Sequence, residues 1–180
     1  MALLKKLPSA FYRTPQGARP VRDFLMELPR EDRRIIGNDI ATVEYGWPIG
    51  KPTCAPIGLG LWEVRSNLPS KRMYANEGSK EVKKPRKGRN PHIGESFDSF
   101  LKEEGIYESV QTTAVKRVLA MQLEEAMKQQ KLSKVEMARR MKTSRVQLDR
   151  LLDPDNDSVT LATLRRAAAV VGREVRLELV

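Results

Sequence analysis

The sequence predicts a mainly α-helical protein, in which a helical C-terminal domain ending in a β-strand follows a small, incomplete α/β unit. Three observations predict it. Apolar residues recur at helical spacing through most of residues 95–180. A stretch rich in Lys, Arg, Gly, Pro and Asn interrupts the 180-residue chain near its middle. Ahead of that stretch, short strand-like segments flank two helical ones.

In residues 1–72, Phe11-Tyr12-Arg13 reads as a short strand ended by the turn sequence Thr14-Pro15-Gln16-Gly17. Pro20 suits the first turn of a helix, where its missing N–H costs nothing, and Val21, Phe24 and Leu25 supply the apolar side. A second helix is expected from about Pro29 to Glu44, with Ile35, Ile36, Ile40 and Val43 inward and Gly46 as its C-cap. A Pro/Gly-rich loop follows, then an alternating strand over Gly60–Arg65. Residues 73–94 hold so few apolar groups that burial cannot offset ordering entropy, so they are expected to form a basic flexible linker and the domain boundary.

In residues 95–180, Ser96 to Leu101 opens a short helix stopped by Gly105, and Thr113–Gln129 is amphipathic, with Val115, Val118, Leu119, Leu123, Ala126 and Met127 on one side. The most informative segment is LSKVEMARRMKTSRVQLDRLL, Leu132 to Leu152. Ser133 with Glu136 three residues later is a capping box, and Val135, Ala138 and Met141 recur at helical spacing. Ala138 is small enough for a close helix crossing. Lys142-Thr143 forms the turn, and Ser144 caps the next helix. The first turn position in such two-helix units is usually Gly, able to take φ > 0 freely; here it is Lys142, for which that conformation costs about 1–2 kcal/mol. In the second helix Leu148, Leu151 and Leu152 face inward, whereas Arg145, Gln147 and Arg150 face outward with Asp149 beside them. Arg and Gln match guanine and adenine edges bidentately, so the segment reads as a DNA-binding helix-turn-helix. The bland alternative is a helical hairpin whose charged face is merely solvated.

A polar loop over Asp153–Asp157 precedes a last helix capped by Thr160, lined by Leu161, Leu164, Ala168 and Val171 and ended by Gly172. Glu174–Val180 then alternates as an amphipathic strand, expected to pair with its copy in a homodimer or with a strand elsewhere. A twofold dimer would set two recognition helices one DNA turn apart.

The net charge of +10 divides into +5 for residues 1–72, +4 for 73–94 and only +1 for 95–180. DNA affinity in the last part must therefore come from local placement of Arg and Lys. Cys54 is the only cysteine and His92 the only histidine, which excludes an intramolecular disulfide, a zinc finger and Ser-His-Asp or Cys-His catalysis within one chain. Cys54 is expected to be partly buried in a reducing cytoplasm, and His92 to be solvated. No apolar run reaches the roughly 18 residues of a membrane span, and the N-terminus lacks signal-peptide order, so a cytoplasmic protein is expected. No cofactor is expected.

On these residues, Thr113–Val180 resembles the phage-repressor (XRE, lambda-repressor-like) fold. Most of residues 90–180 resembles HigA-type antitoxins, above all through LDRLLDPDN and SVTLATLRRAA. The resemblance implies that Arg145, Val146, Gln147 and Arg150 meet base edges and that Lys134 meets a phosphate, and Ser144, at the start of the reading helix, is expected to join this DNA-binding set. The segment FYRTPQGARPVRDFLMELPREDRRIIGNDI, with GLWEVRSN, is similar to HigB toxins of the RelE/ParE superfamily, which cleave translating mRNA on the ribosome. Of that family's basic residues only Arg65 matches by position, as an RNA-binding remnant or as a plain surface arginine. The further strands and basic C-terminal segment of the family have no counterpart before the linker. One Arg cannot both hold a phosphate and complete an acid–base set, so no catalytic residue is expected.

The leading expectation is a DNA-binding transcriptional regulator of antitoxin type, bound to its own operator as a dimer and able to bind a RelE/HigB-type toxin. The alternatives are a self-inhibited, ribosome-dependent mRNA endonuclease and a pure protein-interaction module.

Overall fold

The computed structural model describes residues 4–69, 91–154, 156 and 158–175. Among these residues it is mainly α-helical, with seven helices and two small two-stranded antiparallel sheets. Strand β1 (Ala10–Tyr12) leads to helices α1 (Pro20–Glu27) and α2 (Arg30–Gly46), with Pro20 opening α1 as expected. Strands β2 (Cys54–Gly58) and β3 (Leu61–Val64) form a hairpin pairing Cys54 with Val64 and Pro56 with Trp62. Strand β4 (Ile93–Ser96) and helix α3 (Phe97–Glu103) precede α4 (Tyr107–Gln129), α5 (Lys134–Arg140), α6 (Arg145–Leu152) and α7 (Leu161–Val170).

Most of the expected linker over 73–94 lies outside the described residues, as does most of the expected strand Glu174–Val180. The end of the linker segment is not loop, however. Ile93 and Gly94 belong to β4, which pairs with β1. Arg13 N–H donates to the His92 carbonyl at 2.8 Å, and the His92 ring stacks on Tyr12 with centroids 5.7 Å apart, so this histidine is packed rather than simply solvated. The segment from Cys54 to Gly58, expected as loop, is a strand despite Pro56. Helix α4 begins six residues before the expected Thr113, and its added turns bury Val110 in the core shared with the front of the chain.

Packing does not divide where the composition shifts. One core joins Phe11, Leu25, Leu28 and Ala41 to Phe97, Phe100, Leu101, Ile106, Val110 and Ala114. Residues 95–114 thus bury their apolar groups against the front of the chain. Helices α2 and α4 approach closely at Gly37, where a Cβ would stand 3.2 Å from Val110 Cγ2. Helix α2 also buries Asn38, Thr42 and Glu44 beyond the expected stripe. The second core gathers Leu123, Ala126 and Met127 of α4 with Met137, Leu148, Leu151 and Ala167. Helix α4 runs unbroken from one core into the other.

Ion pairs follow the same division. Arg19 meets Glu95 at 3.0 Å, Arg22 meets Glu103 at 2.8 Å, Arg33 meets Glu104 at 2.8 Å, and Lys5 contacts Asp98. Glu44, only 2% exposed, accepts from Lys5 Nζ at 2.7 Å, Ser9 N at 2.7 Å and Ser9 Oγ at 2.6 Å. Burial alone would lower the Lys5 pKa, but its hydrogen bonds to Asp98 and Glu44 outweigh this and raise it. The acidic residues of 95–104 are therefore matched by front-half cations. Residues 105–180 carry 14 Lys and Arg against 10 Asp and Glu, a net +4. The near-neutral tally for residues 95–180 is an average over two differently employed surfaces.

Candidate nucleic-acid interface

Helices α5 and α6 form a compact helical pair. Ser133 Oγ accepts from Glu136 N at 3.2 Å and Ser144 Oγ from Gln147 N at 3.2 Å, so both expected caps satisfy an otherwise unpaired first-turn N–H. The capping box is only half formed. The Glu136 carboxylate turns to Arg139, at 2.9 and 2.8 Å, and to Arg140, at 2.7 Å. Those hydrogen bonds hold its pKa down at about 2, so the two arginines at the end of α5 stand against a persistent anion.

Between the helices, Thr143 N donates to Ala138 O and Lys142 N to Arg139 O, both at 3.0 Å. This is the Schellman pattern, which places its C′ residue in the left-handed region. Lys142 is that residue, at φ +52°. The expected strain is therefore present, and it sits where the chain turns from one helix into the next. Lys131 ends α4 in the same way, at φ +53°.

The inward stripe of α6 is as expected: Leu148, Leu151 and Leu152 are buried, and Met137, Ala138 and Met141 of α5 pack with them. Three positions expected on an apolar side are not in the core: Val135 is 63% exposed, Leu161 43% and Val21 40%. Each lies in the first turn of its helix, and Met137, Ala167 and Leu25 are among the buried residues of those helices instead.

Arg145, Val146, Gln147 and Arg150 are all exposed on α6. Val146, at 61% exposure, is an apolar group held in solvent, suited in kind to a thymine methyl. Ser144 is exposed as well, but its hydroxyl oxygen is engaged as the cap. Lys134, at the start of α5, reaches across to α6, where its Nζ stands 2.9 Å from Asp149 Oδ1. Arg145 Nε lies 3.8 Å from Asp149 Oδ2. The Lys134 hydrogen bond, with the charges of Lys134 and Arg145, lowers the Asp149 pKa. These pairs are half exposed, a setting in which an ion pair contributes about 0.2–1 kcal/mol, so an incoming phosphate could displace the carboxylate from Lys134.

A cavity of about 350 Å³ opens beside this face, lined by Gln147, Arg150, Asn156, Ser158, Thr160 and Thr163 among others. Ser158 N donates to Asn156 Oδ1 at 3.0 Å, and Thr160 caps α7 through Thr163 N at 3.2 Å. The Thr160 cap is legible in the sequence. That the Asn156–Thr160 loop borders the same groove as Gln147 and Arg150 is a tertiary fact with no local signal.

Arg65 stands elsewhere. It follows β3, half exposed, with Nε 2.9 Å from Glu63 Oε1, so it is a surface arginine paired with a neighbouring carboxylate. Cys54 is fully buried, beyond the partial burial expected, and burial pushes its thiol pKa up. The chain matches no protein-family model, no curated protein and no solved structure. No described helix is long and apolar enough to cross a membrane.

Proposed function

We propose that the chain is a DNA-binding transcriptional regulator of antitoxin type, with a lambda-repressor-like helical unit that reads the major groove through α6. One observation carries the reading. The outward row Arg145, Val146, Gln147 and Arg150 projects from a short helix whose opposite side is fully buried and whose entry is fixed by a cap and a Schellman turn. An exposed valine and a braced entry recur at α5, in Val135, Lys131 and Ser133, so it is the guanidinium and amide chemistry of Arg145, Gln147 and Arg150 that favours this reading over a merely solvated hairpin. Side chains of this kind supply guanine, thymine and adenine contacts, and Lys134 supplies the backbone contact once released from Asp149.

In this reading the protein binds its operator as a homodimer through Glu174–Val180, binds a RelE/HigB-type toxin, and is cytoplasmic. The RelE-like front part has a supporting role. Its apolar side chains complete a core with α3 and α4, and in this reading Arg65 has no catalytic role.

The test is a gel shift of the full chain on the DNA upstream of its own coding sequence, at two salt concentrations. Replacing Arg145 and Arg150 together with Ala should weaken specific binding by about 1–3 kcal/mol for each lost base contact. The salt slope, which counts phosphate contacts, should stay close to that of the parent. Unchanged affinity in the double variant would remove the assignment.

A further inference from the structure

Helix α6 carries one acidic side chain among its exposed basic ones, and its position calls for an account. Asp149 touches both cations that the proposed interface uses, Lys134 through Oδ1 and Arg145 through Oδ2. A carboxylate facing DNA repels phosphates, so for affinity alone Asp149 would be better absent. Its stabilising value is small as well, because Lys134 and Asp149 are about half exposed and Arg145 about two-thirds exposed.

We propose that Asp149 is a positioning residue that sets Arg145 for a guanine edge and so determines specificity within the α6 reading face. This rests on the DNA-binding reading above. The contact is made to Arg145 Nε, one turn of helix away, at the side of the guanidinium nearest its own stem. The two terminal nitrogens then point onward, and they are the pair that meets guanine O6 and N7. At 3.8 Å the interaction is an ion pair without a formed hydrogen bond, so it biases the rotamer without locking it. Lys134 holds the other carboxylate oxygen from α5, fifteen residues away in sequence, and this limits the rotation of Asp149 itself. When a phosphate draws Lys134 away, the carboxylate is left with Arg145 as its cationic partner. Engagement of the backbone thereby strengthens the orientation of the group that reads the base. The bias that an exposed ion pair imposes on one long side chain corresponds to at most about fivefold in affinity.

The experiment is selection from a random duplex library by the full-length protein, run in parallel with the D149N, D149E and R145A variants. The parent should enrich a site with a fixed guanine that R145A no longer requires. D149N should relax the preference at that same position by about twofold to fivefold, which is as much as an exposed ion pair can impose. It should also bind unselected duplex about threefold more tightly at low salt, having lost a negative charge on the DNA face. D149E, with its carboxylate also one turn from Arg145, should return the guanine preference toward the parent. Thermal unfolding of the parent and D149N should coincide within the small value of an exposed pair. If D149N keeps the guanine preference intact, or loosens a position other than the one R145A identifies, the positioning role is wrong while base reading stands. If the parent enriches no sequence at all, base reading fails and the positioning role falls with it.

Discussion

Replacing Phe100 with Ala tests whether the front of the chain and α3–α4 share one core. Phe100 is fully buried, with its ring 5.3 Å from Phe11 in an edge-on arrangement and 5.8 Å from Phe97, and the Arg22 guanidinium 5.8 Å from its centroid. Deleting a buried ring costs about 3–5 kcal/mol in transfer and cavity terms together, of which aromatic pairing accounts for about 0.5–1.5 kcal/mol per pair. A loss of about 4 kcal/mol is expected. With a urea dependence of about 2 kcal/mol per molar, the midpoint should fall by about 2 M. Trp47 and Trp62, the two tryptophans of the chain, both lie in the front part and stack edge-on with centroids 4.7 Å apart, so their fluorescence reports on that part alone. Far-UV circular dichroism, dominated by helix, reports on the whole. The tryptophan midpoint should drop although the mutation lies beyond the polar middle segment. If it stayed in place while the dichroism moved, residues 1–69 would be folding independently and the shared core would be refuted.

Three further outcomes follow from individual residues. Lys142→Gly should relieve about 1–2 kcal/mol of left-handed strain against about 0.5–1 kcal/mol of added chain entropy; a net gain near 0.5–1 kcal/mol in urea unfolding is expected, and a loss would show that the lysine side chain contributes something the turn needs. Because Glu136 has its carboxyl held at about 2 by Arg139 and Arg140, its contribution is present above the ordinary carboxylate range and lost as pH falls through that range toward 2. Glu136→Gln should accordingly flatten the fall of thermal stability below about pH 4.5, and equal slopes for variant and parent would contradict the assignment. Cys54, buried and with a raised pKa, should react with a thiol reagent at pH 8 only in denaturant; rapid stoichiometric labelling of the native chain would place it at the surface.

The local signals of the sequence were legible where a side chain acts on its own backbone. Ser133, Ser144 and Thr160 all cap the helices expected of them, because a hydroxyl reaching a first-turn N–H is a matter of three residues, and Ser96, expected only to open its helix, caps it in the same way. The inward leucines of α6 and its outward Arg and Gln follow from period alone. Long-range pairing was not legible. Strand β4 is Ile-Gly-Glu-Ser, which has no apolar alternation, and it is a strand because β1 lies beside it. Pro56 disguised β2, although an edge of a two-stranded hairpin tolerates it. The boundary drawn from composition failed to mark the division of the cores, since Phe97, Phe100 and Leu101 look the same in sequence whichever partner covers them. Within the interface, the outward residues could be read from spacing. The link from Lys134 to Asp149 depends on how α5 crosses α6, which no local pattern encodes.

Helix α4 is a rod of 23 residues, about 35 Å at 1.5 Å per residue, rooted at each end in different packing. Its backbone has no kink-forming Pro or Gly, so it has no built-in hinge. On the proposed DNA-binding reading, whatever grasps the front of the molecule is therefore carried at a set bearing and stand-off from the groove that α6 would enter. Cargo bulky enough to foul that duplex could not be swung clear by bending this axle, and its clearance would be decided by geometry already frozen when the chain folds.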